Sequence, residues 1–337
     1  MSKKAIVLLV VVAGILVLLG CCLVLVIGGV FVIKPDWIPT RTTSSAPTEA
    51  VSAPTIEASG QTATLPSPSH ADQIAFLSYR DNPEDITDIY LMSTDGSGLT
   101  EITDSSGYIS AFAWSPDGQR LAFESDRSGN NRIYVIQADG SGLAQLTEQN
   151  AFWTGGLTWS PDGEHIAFSL AAAGEGNYIA VMHSDGTGLE TLAEGITPAW
   201  SPDGSRIAFA GWDLGLFVMN ADGTGVRQLT DSSDYGLDWY PVWSPDGSRI
   251  LFGSNRQTPN DYMTERIYIM DADGTGIRTF DDLNWGQPPY AWWGDGSRII
   301  YVDDFMGLST LHGMDVDGSH QSPLMEDNQG FFPRWRP

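Results

Sequence analysis

The chain has 337 residues, with 42 Asp and Glu against 17 Lys and Arg, a formal net charge of −25. That excess repels phosphate backbones and argues against a nucleic-acid partner. Both cysteines, Cys21 and Cys22, lie near the N-terminus, so residues 71–337 contain neither a disulfide nor a reactive thiolate.

Residues 5–33 carry no charge, and about 20 apolar residues suffice to cross the hydrocarbon core as a helix. Lys3 and Lys4 precede this run and Lys34 follows it. A short basic N-terminus favours a cytoplasmic tail of residues 1–4 and a single span over 5–33, with the rest of the chain extracytoplasmic. A cleaved signal peptide has an apolar core of only about 7–15 residues, shorter than this run. Leu18-Leu19-Gly20-Cys21 resembles a bacterial lipoprotein processing box, which makes lipidation of Cys21 the alternative anchor. Against it, the chain stays apolar for twelve residues beyond Cys21.

Residues 34–70 are rich in Thr, Ser, Ala and Pro and show no periodic apolar face. Nothing there offsets the entropy of ordering, so the expectation is a disordered stalk, its glycosylation open.

From residue 71 onward two marks recur in step. Ala113-Trp114-Ser115-Pro116-Asp117-Gly118 returns at Trp159, Trp200 and Trp243, in altered form at Trp292, and as Arg334-Trp335-Arg336-Pro337 at the end, at steps of 45, 41, 43, 49 and 43 residues. Asp-Gly-Ser/Thr occurs six times, starting at Asp95, Asp139, Asp185, Asp222, Asp273 and Asp317. A period in this range with β-type residues between the marks is the signature of propeller blades. In one period, Ala113-Trp114-Ser115 ends a strand and Ser-Pro-Asp-Gly turns the chain. Residues 120–125 alternate as a second strand and 132–136 form a third. Asp139-Gly140 makes a hairpin, and 143–147 form the fourth. The recurrent Trp is expected to pack between blades. The opening Gln73-Ile74-Ala75-Phe76 matches a second strand and the closing Phe332-Pro333-Arg334-Trp335 a first strand. Their pairing closes a ring of six blades over residues 71–337 and leaves no open sheet edge between them. The fold class expected is therefore all-β, a six-bladed β-propeller, complete as a monomer.

The repeated Trp-Ser-Pro-Asp-Gly-x-x-Ile-Ala-Phe, followed by Ile-Tyr-x-Met and Asp-Gly-Ser/Thr-Gly, resembles the WD-repeat-like propeller of the TolB family. Similar blades occur in the propeller domains of prolyl oligopeptidase-type enzymes. The resemblance covers residues 71–337 and implies the fold more strongly than any function. TolB joins its propeller to an N-terminal α/β domain and is a soluble periplasmic protein. Here an apolar run and a polar linker take that place, which weighs against a Tol–Pal role.

No Gly-x-Ser-x-Gly elbow and no His-Glu-x-x-His spacing occurs. The histidines are His70, His165, His183, His312 and His320, with no metal-ligand spacing among them, and no metal residue is assigned. Asp271-x-Asp273-x-Thr275-Gly276 with Asp282 imitates a calcium loop, as does the run from Asn220 to Asp231. A strand after each hairpin carries the last acid about 15–20 Å away, beyond reach of one ion. No cofactor is expected, with calcium in other acidic loops left open.

Loops joining the fourth strand to the next first strand, and the second to the third, should share one face. They carry the candidate binding residues Arg80, Arg127, Trp153, Trp212, Tyr235, Trp239, Tyr240, Arg256, Trp285 and Tyr290. Aromatics and arginines on a rigid ring suit recognition; packing between blades or in the channel is the competing role. The leading expectation is a membrane-anchored, non-catalytic module that holds a protein or envelope polymer on this face. The alternatives are a propeller hydrolase or lyase, metal-dependent in one form, acting on glycans or peptides, and a sensory ectodomain that acts through a separate membrane protein.

Overall fold

The computed structural model describes residues 73–78, 86–93, 96–104, 106–148, 156–172, 176–211, 215–231, 237–256, 266–280, 286–305, 308–324 and 331–336. The expected span over residues 5–33 and the linker over 34–70 lie outside them. No helix of the described residues is long and apolar enough to cross a membrane.

The first blade opens with β1 (Gln73–Ser78), β2 (Asp88–Ser93) and β3 (Thr100–Glu101). The second is β4 (Ile109–Trp114), β5 (Arg120–Ser125), β6 (Arg132–Gln137) and β7 (Ala144–Gln145). The third is β8 (Leu157–Trp159), β9 (His165–Ala172), β10 (Gly176–His183) and β11 (Glu190–Glu194). The fourth is β12 (Ile196–Trp200), β13 (Arg206–Ala210), β14 (Leu216–Asn220) and β15 (Arg227–Gln228). The fifth is β16 (Asp238–Trp243), β17 (Arg249–Ser254), β18 (Arg266–Asp271) and β19 (Arg278–Thr279). The sixth is β20 (Gly286–Trp292), β21 (Arg298–Phe305), β22 (Leu308–Asp315) and β23 (Ser322–Pro323). Finally β24 (Phe331–Trp335) returns to β1, and the first sheet reads β24-β1-β2-β3. Each sheet is an antiparallel four-stranded meander.

Closure is by the pairing of terminal segments expected from the sequence. Ile74 opposes Trp335, Ala75 opposes Arg334, and Leu77 opposes Phe331, with a register shift between Ala75 and Leu77. The first strands adjoin in a circle: β24 against β4, β4 against β8, then β12, β16, β20 and back to β24. Arg336 fastens the closure. Its Nε donates to the Gly118 carbonyl at 2.8 Å, its Nη1 to Gln73 Oε1, and its guanidinium lies 5.0 Å from the centre of the Trp114 ring.

The fourth strands are shorter than the sequence suggested, two residues in most blades. The chain pairs there only until the Leu-Thr step turns inward. Thr103, Thr147 and Thr230 hydroxyls accept from the backbone N–H of Ile89, Ile133 and Leu216, each at about 3 Å. This side-chain bond replaces the next rung of the ladder.

The Ser-Pro-Asp-Gly turns are built from one set of bonds. In the second blade Ser115 Oγ donates to Asp117 Oδ1, accepts from Arg120 N, and Asp117 Oδ1 also accepts from Gln119 N. Ser160, Ser201 and Ser244 repeat this arrangement. The closing glycine has φ of 64° to 72° in the five copies, where a Cβ is disfavoured. It also lies under the proline of the preceding blade: a Cβ on Gly163 would meet Pro116 Cγ at 3.3 Å, and one on Gly247 would meet Pro202 Cγ at 3.2 Å.

The calcium-like runs are hairpins. Asp273 Oδ1 accepts from the N–H and hydroxyl of Thr275, and Asp222 Oδ1 from those of Thr224.

Candidate functional site

The recurrent tryptophan joins one blade to the next. Trp159 Nε1 donates to the Ala113 carbonyl at 3.2 Å, Trp243 to Ala199 at 3.1 Å and Trp292 to Val242 at 3.1 Å, each a bond to the preceding blade. Arginines that follow the turns lie on these rings: Arg120 is 4.8 Å from the centre of Trp159 and Arg206 is 4.7 Å from Trp243. Trp114 and Trp200 depart from the pattern: the Nε1 of each has no hydrogen-bond partner among the described residues, and Trp200 is half-buried.

Between the first strands of blades two to five lies a cavity of about 360 Å³. Trp-Ser-Pro segments from the third, fourth and fifth blades line it, together with Thr197 and Tyr240. Its described lining contains no carboxylate, histidine, lysine, arginine or cysteine. This is the part of the central channel walled by blades two to five, with indole, proline and small side chains.

Two wall residues adopt the left-handed region without being glycine: Thr197 at φ 53° and Tyr240 at φ 51°. Both sit where β12 and β16 shift register against their neighbours. Such backbone is unusual for a β-branched or bulky residue. Thr197 is pressed against Gly156, where a Cβ would fall 2.4 Å from Thr197 Cα. Its Oγ1 is buried without a hydrogen-bond partner.

The channel opens between two unlike faces. On one, each Ser-Pro-Asp-Gly turn is tied to the Asp-Gly hairpin beside it, as Ala138 N to Gln119 O and Ser184 N to Glu164 O, both 2.8 Å. On the other, the two loop sets expected to share a face meet. Tyr108 N donates to Asp126 Oδ1 at 2.8 Å, and Leu237 N to Asn255 Oδ1 at 2.6 Å.

The candidate binding residues divide on this frame. Arg127 and Arg256 hold equivalent positions and pack over aromatic pairs. Arg127 lies 5.1 Å from Phe123 and 5.3 Å from Tyr134; Arg256 lies 5.1 Å from both Phe252 and Tyr268. The Arg127 side chain is 7% exposed and stands 3.3 Å from Asp104. Arg256 is 25% exposed and bonds at 2.6 Å to the buried Asp238, which also accepts from Thr230 Oγ1. Tyr290 is buried, its hydroxyl donating to the Tyr240 carbonyl at 2.7 Å. Trp239 is half-buried against the core between blades four and five. Of the ten, Tyr240 is the one placed in the described channel wall. Arg80, Trp153, Trp212, Tyr235 and Trp285 lie outside the described residues.

Two features escaped the sequence reading. The channel wall is made by the Trp-Ser-Pro marks themselves, which periodicity presents only as structural. Glu124 is the other: it is fully buried on β5, accepts from Ser110 Oγ at 2.9 Å, and its Oε1 has no partner among the described residues. Burial pushes its carboxyl up to about 8, and the Ser110 hydrogen bond opposes this only in part. At that value it is mostly protonated at neutral pH.

Six four-stranded meanders round a channel define a six-bladed β-propeller. The chain belongs to the TolB beta propeller domain family, whose profile matches residues 58–197 and 193–337. An uncharacterised protein of Agrobacterium fabrum is 32% identical over 117 residues, which are 32% of this chain and 39% of that protein. The chain thus spans about two-fifths of that relative. TolB from Acinetobacter baumannii superposes with a TM-score of 0.67 at 20% identity, over 79% of this chain and 67% of that one. A structure assigned as TolB from Agrobacterium tumefaciens gives 0.59 at 21%, over 77% and 90%. A chain of the nidogen/laminin complex gives 0.59 at 13%, over 77% and 97%. At these identities the structural likeness is one of fold.

Proposed function

We propose that the chain is a membrane-anchored, extracytoplasmic, non-catalytic binding module whose partner, a protein or an envelope polymer, docks at the channel and the loop face round it. The observation that carries this reading is the channel's chemistry. A wall of Trp, Pro, Ser, Thr and Tyr from four blades offers apolar area and hydroxyls, the composition of a recognition surface. A hydrolase or lyase working in the channel needs a group that transfers a proton or holds a metal, and the described lining supplies none. The anchor rests on the uncharged run of residues 5–33 and its flanking lysines.

The test uses the full-length chain in native membranes. Protease added from outside should digest the propeller while the chain stays with the membrane fraction. Capture of the partner should fall at least tenfold when Tyr240 is replaced by Asn, a residue that tolerates its left-handed backbone, with the thermal melt as the control for folding. Protection of the propeller from external protease contradicts the location, and unchanged capture contradicts the site.

A further inference from the structure

The third blade carries a histidine pair outside the channel. His165 begins β9, His183 ends β10, and the two are register partners. His165 N donates to Ser160 Oγ and His183 N to the Thr187 carbonyl, both away from the shared rung. This is therefore a non-hydrogen-bonded antiparallel pair, the kind that brings side chains closest. The rings lie 4.9 Å apart at 37°. Gly188 leaves room for the His183 ring: a Cβ there would fall 2.5 Å from its Cδ2.

Carboxylates gather on the same edge. One ligand atom each from Asp162, Glu164 and His165 lies within 4.8 Å of the others. A depression of about 460 Å³ between blades three and four is lined by Asp162, His165, His183, Glu190 and Asp222, with no arginine among its described lining residues. Nitrogens and oxygens bound to one zinc ion at about 2.0–2.2 Å stand roughly 3.3 Å apart in tetrahedral geometry. Glu164 and His183 are both exposed, so their side chains can turn toward an ion shared with Asp162 and His165. Asp162 is already oriented, since its Oδ1 accepts from Ser160 Oγ and Glu164 N. Exposed acids beside a turn are ordinarily just solvated. The second imidazole, in register with the first, sets this edge apart from the other five blades, whose Asp-Gly hairpins lack such a pair among the described residues.

We propose that His165, His183, Asp162 and Glu164 bind one divalent transition-metal ion of the zinc, nickel or copper class. Two imidazoles favour these ions over calcium, which takes oxygen ligands. The site is separate from the channel, so it can fail without affecting the reading of the channel, and the reverse.

The experiment titrates the untagged, chelator-stripped full-length chain in detergent with zinc alone, followed by calorimetry and thermal melting. The expected result is one equivalent bound with a rise in melting temperature. His183→Ala and His165→Ala should each weaken binding at least tenfold, His320→Ala should leave it unchanged, and excess calcium should not compete. Substoichiometric copper added to the unaltered protein should broaden the ring signals of His165 and His183, a readout that needs no variant. No zinc uptake, uptake that survives loss of both histidines, broadening confined to His320, or displacement by calcium would each overturn the proposal.

Discussion

Thr197 shows how one residue reports on the channel. A β-branched side chain at φ 53° with a buried, unpartnered hydroxyl combines backbone strain with a desolvated polar group. Thr197→Gly relieves both, against the extra freedom glycine has in the unfolded chain. The expected outcome is a gain of about 1 kcal/mol in denaturant unfolding, with weakened partner capture; a loss of stability would show that the strain is not there. Glu124 gives a pH signature. Its folded-state value is raised from 4.5 to about 8, so its contribution is fully present below about 4.5 and is lost as pH rises through about 8. Relative to the unaltered protein, Glu124→Gln should be equally stable at pH 4 and more stable at pH 8.5, as read from paired thermal melts. An unaltered difference between the two pH values would mean that Glu124 ionises freely in the folded state. Neither feature was legible in the sequence. The left-handed backbone follows from register shifts at the narrow centre of the ring, and the depth of Glu124 depends on strands from both sides. Arg127 and Arg256 look like recognition residues because they sit on loops. Their partners Asp104 and Asp238 stand well before them in the chain, and only three dimensions show the aromatic pairs beneath them.

At the scale of the element, the Ser-Pro-Asp-Gly turn is the unit that repeats its chemistry. Hydrogen bonds from Ser201, Ser205 N–H and the Ser205 hydroxyl hold the Asp203 carboxyl down to about 2, and Ser244 with Ser248 does the same for Asp246. A lowered value means stability that is present above about 3.8 and lost as pH falls through about 2. Both carboxylates are exposed, so solvent screening keeps each contribution below about 1 kcal/mol. Asp246→Asn should therefore lower stability slightly at pH 7 and clearly less at pH 2, measured by urea unfolding at both. Equal losses at the two pH values would mean that shape rather than charge matters. These turns were readable from the sequence because every bond in them is local, spanning five residues or fewer. The cross-strand pairing of His165 with His183 was not, since it depends on a register the repeat alone leaves undefined.

For the whole molecule, closure decides whether a channel exists. The matching half-repeats at residues 73–78 and 332–335 make six blades countable before any coordinates, and β24 on β1 has the expected pairing. The role of Arg336 was not countable. It stands where four of the other blades have the turn serine, and it holds Gly118, Gln73 and the Trp114 ring at once. Removing these contacts with Arg336→Ala should cost about 2–3 kcal/mol, seen as a lower melting temperature with faster hydrogen exchange in β1 and β24 first. Uniform acceleration over all six blades would mean that closure is not the local weak point.

The most direct test of the central claim, that the channel is the recognition surface, is site-specific photo-crosslinking in native membranes with the full-length chain. A photoreactive phenylalanine analogue replaces Tyr240 in the channel wall or, as the control, Gln145 on the exposed outer strand β7. One partner joined through position 240 and absent at 145 is the predicted result. The same products at both positions, or a partner joined only through 145, would contradict it.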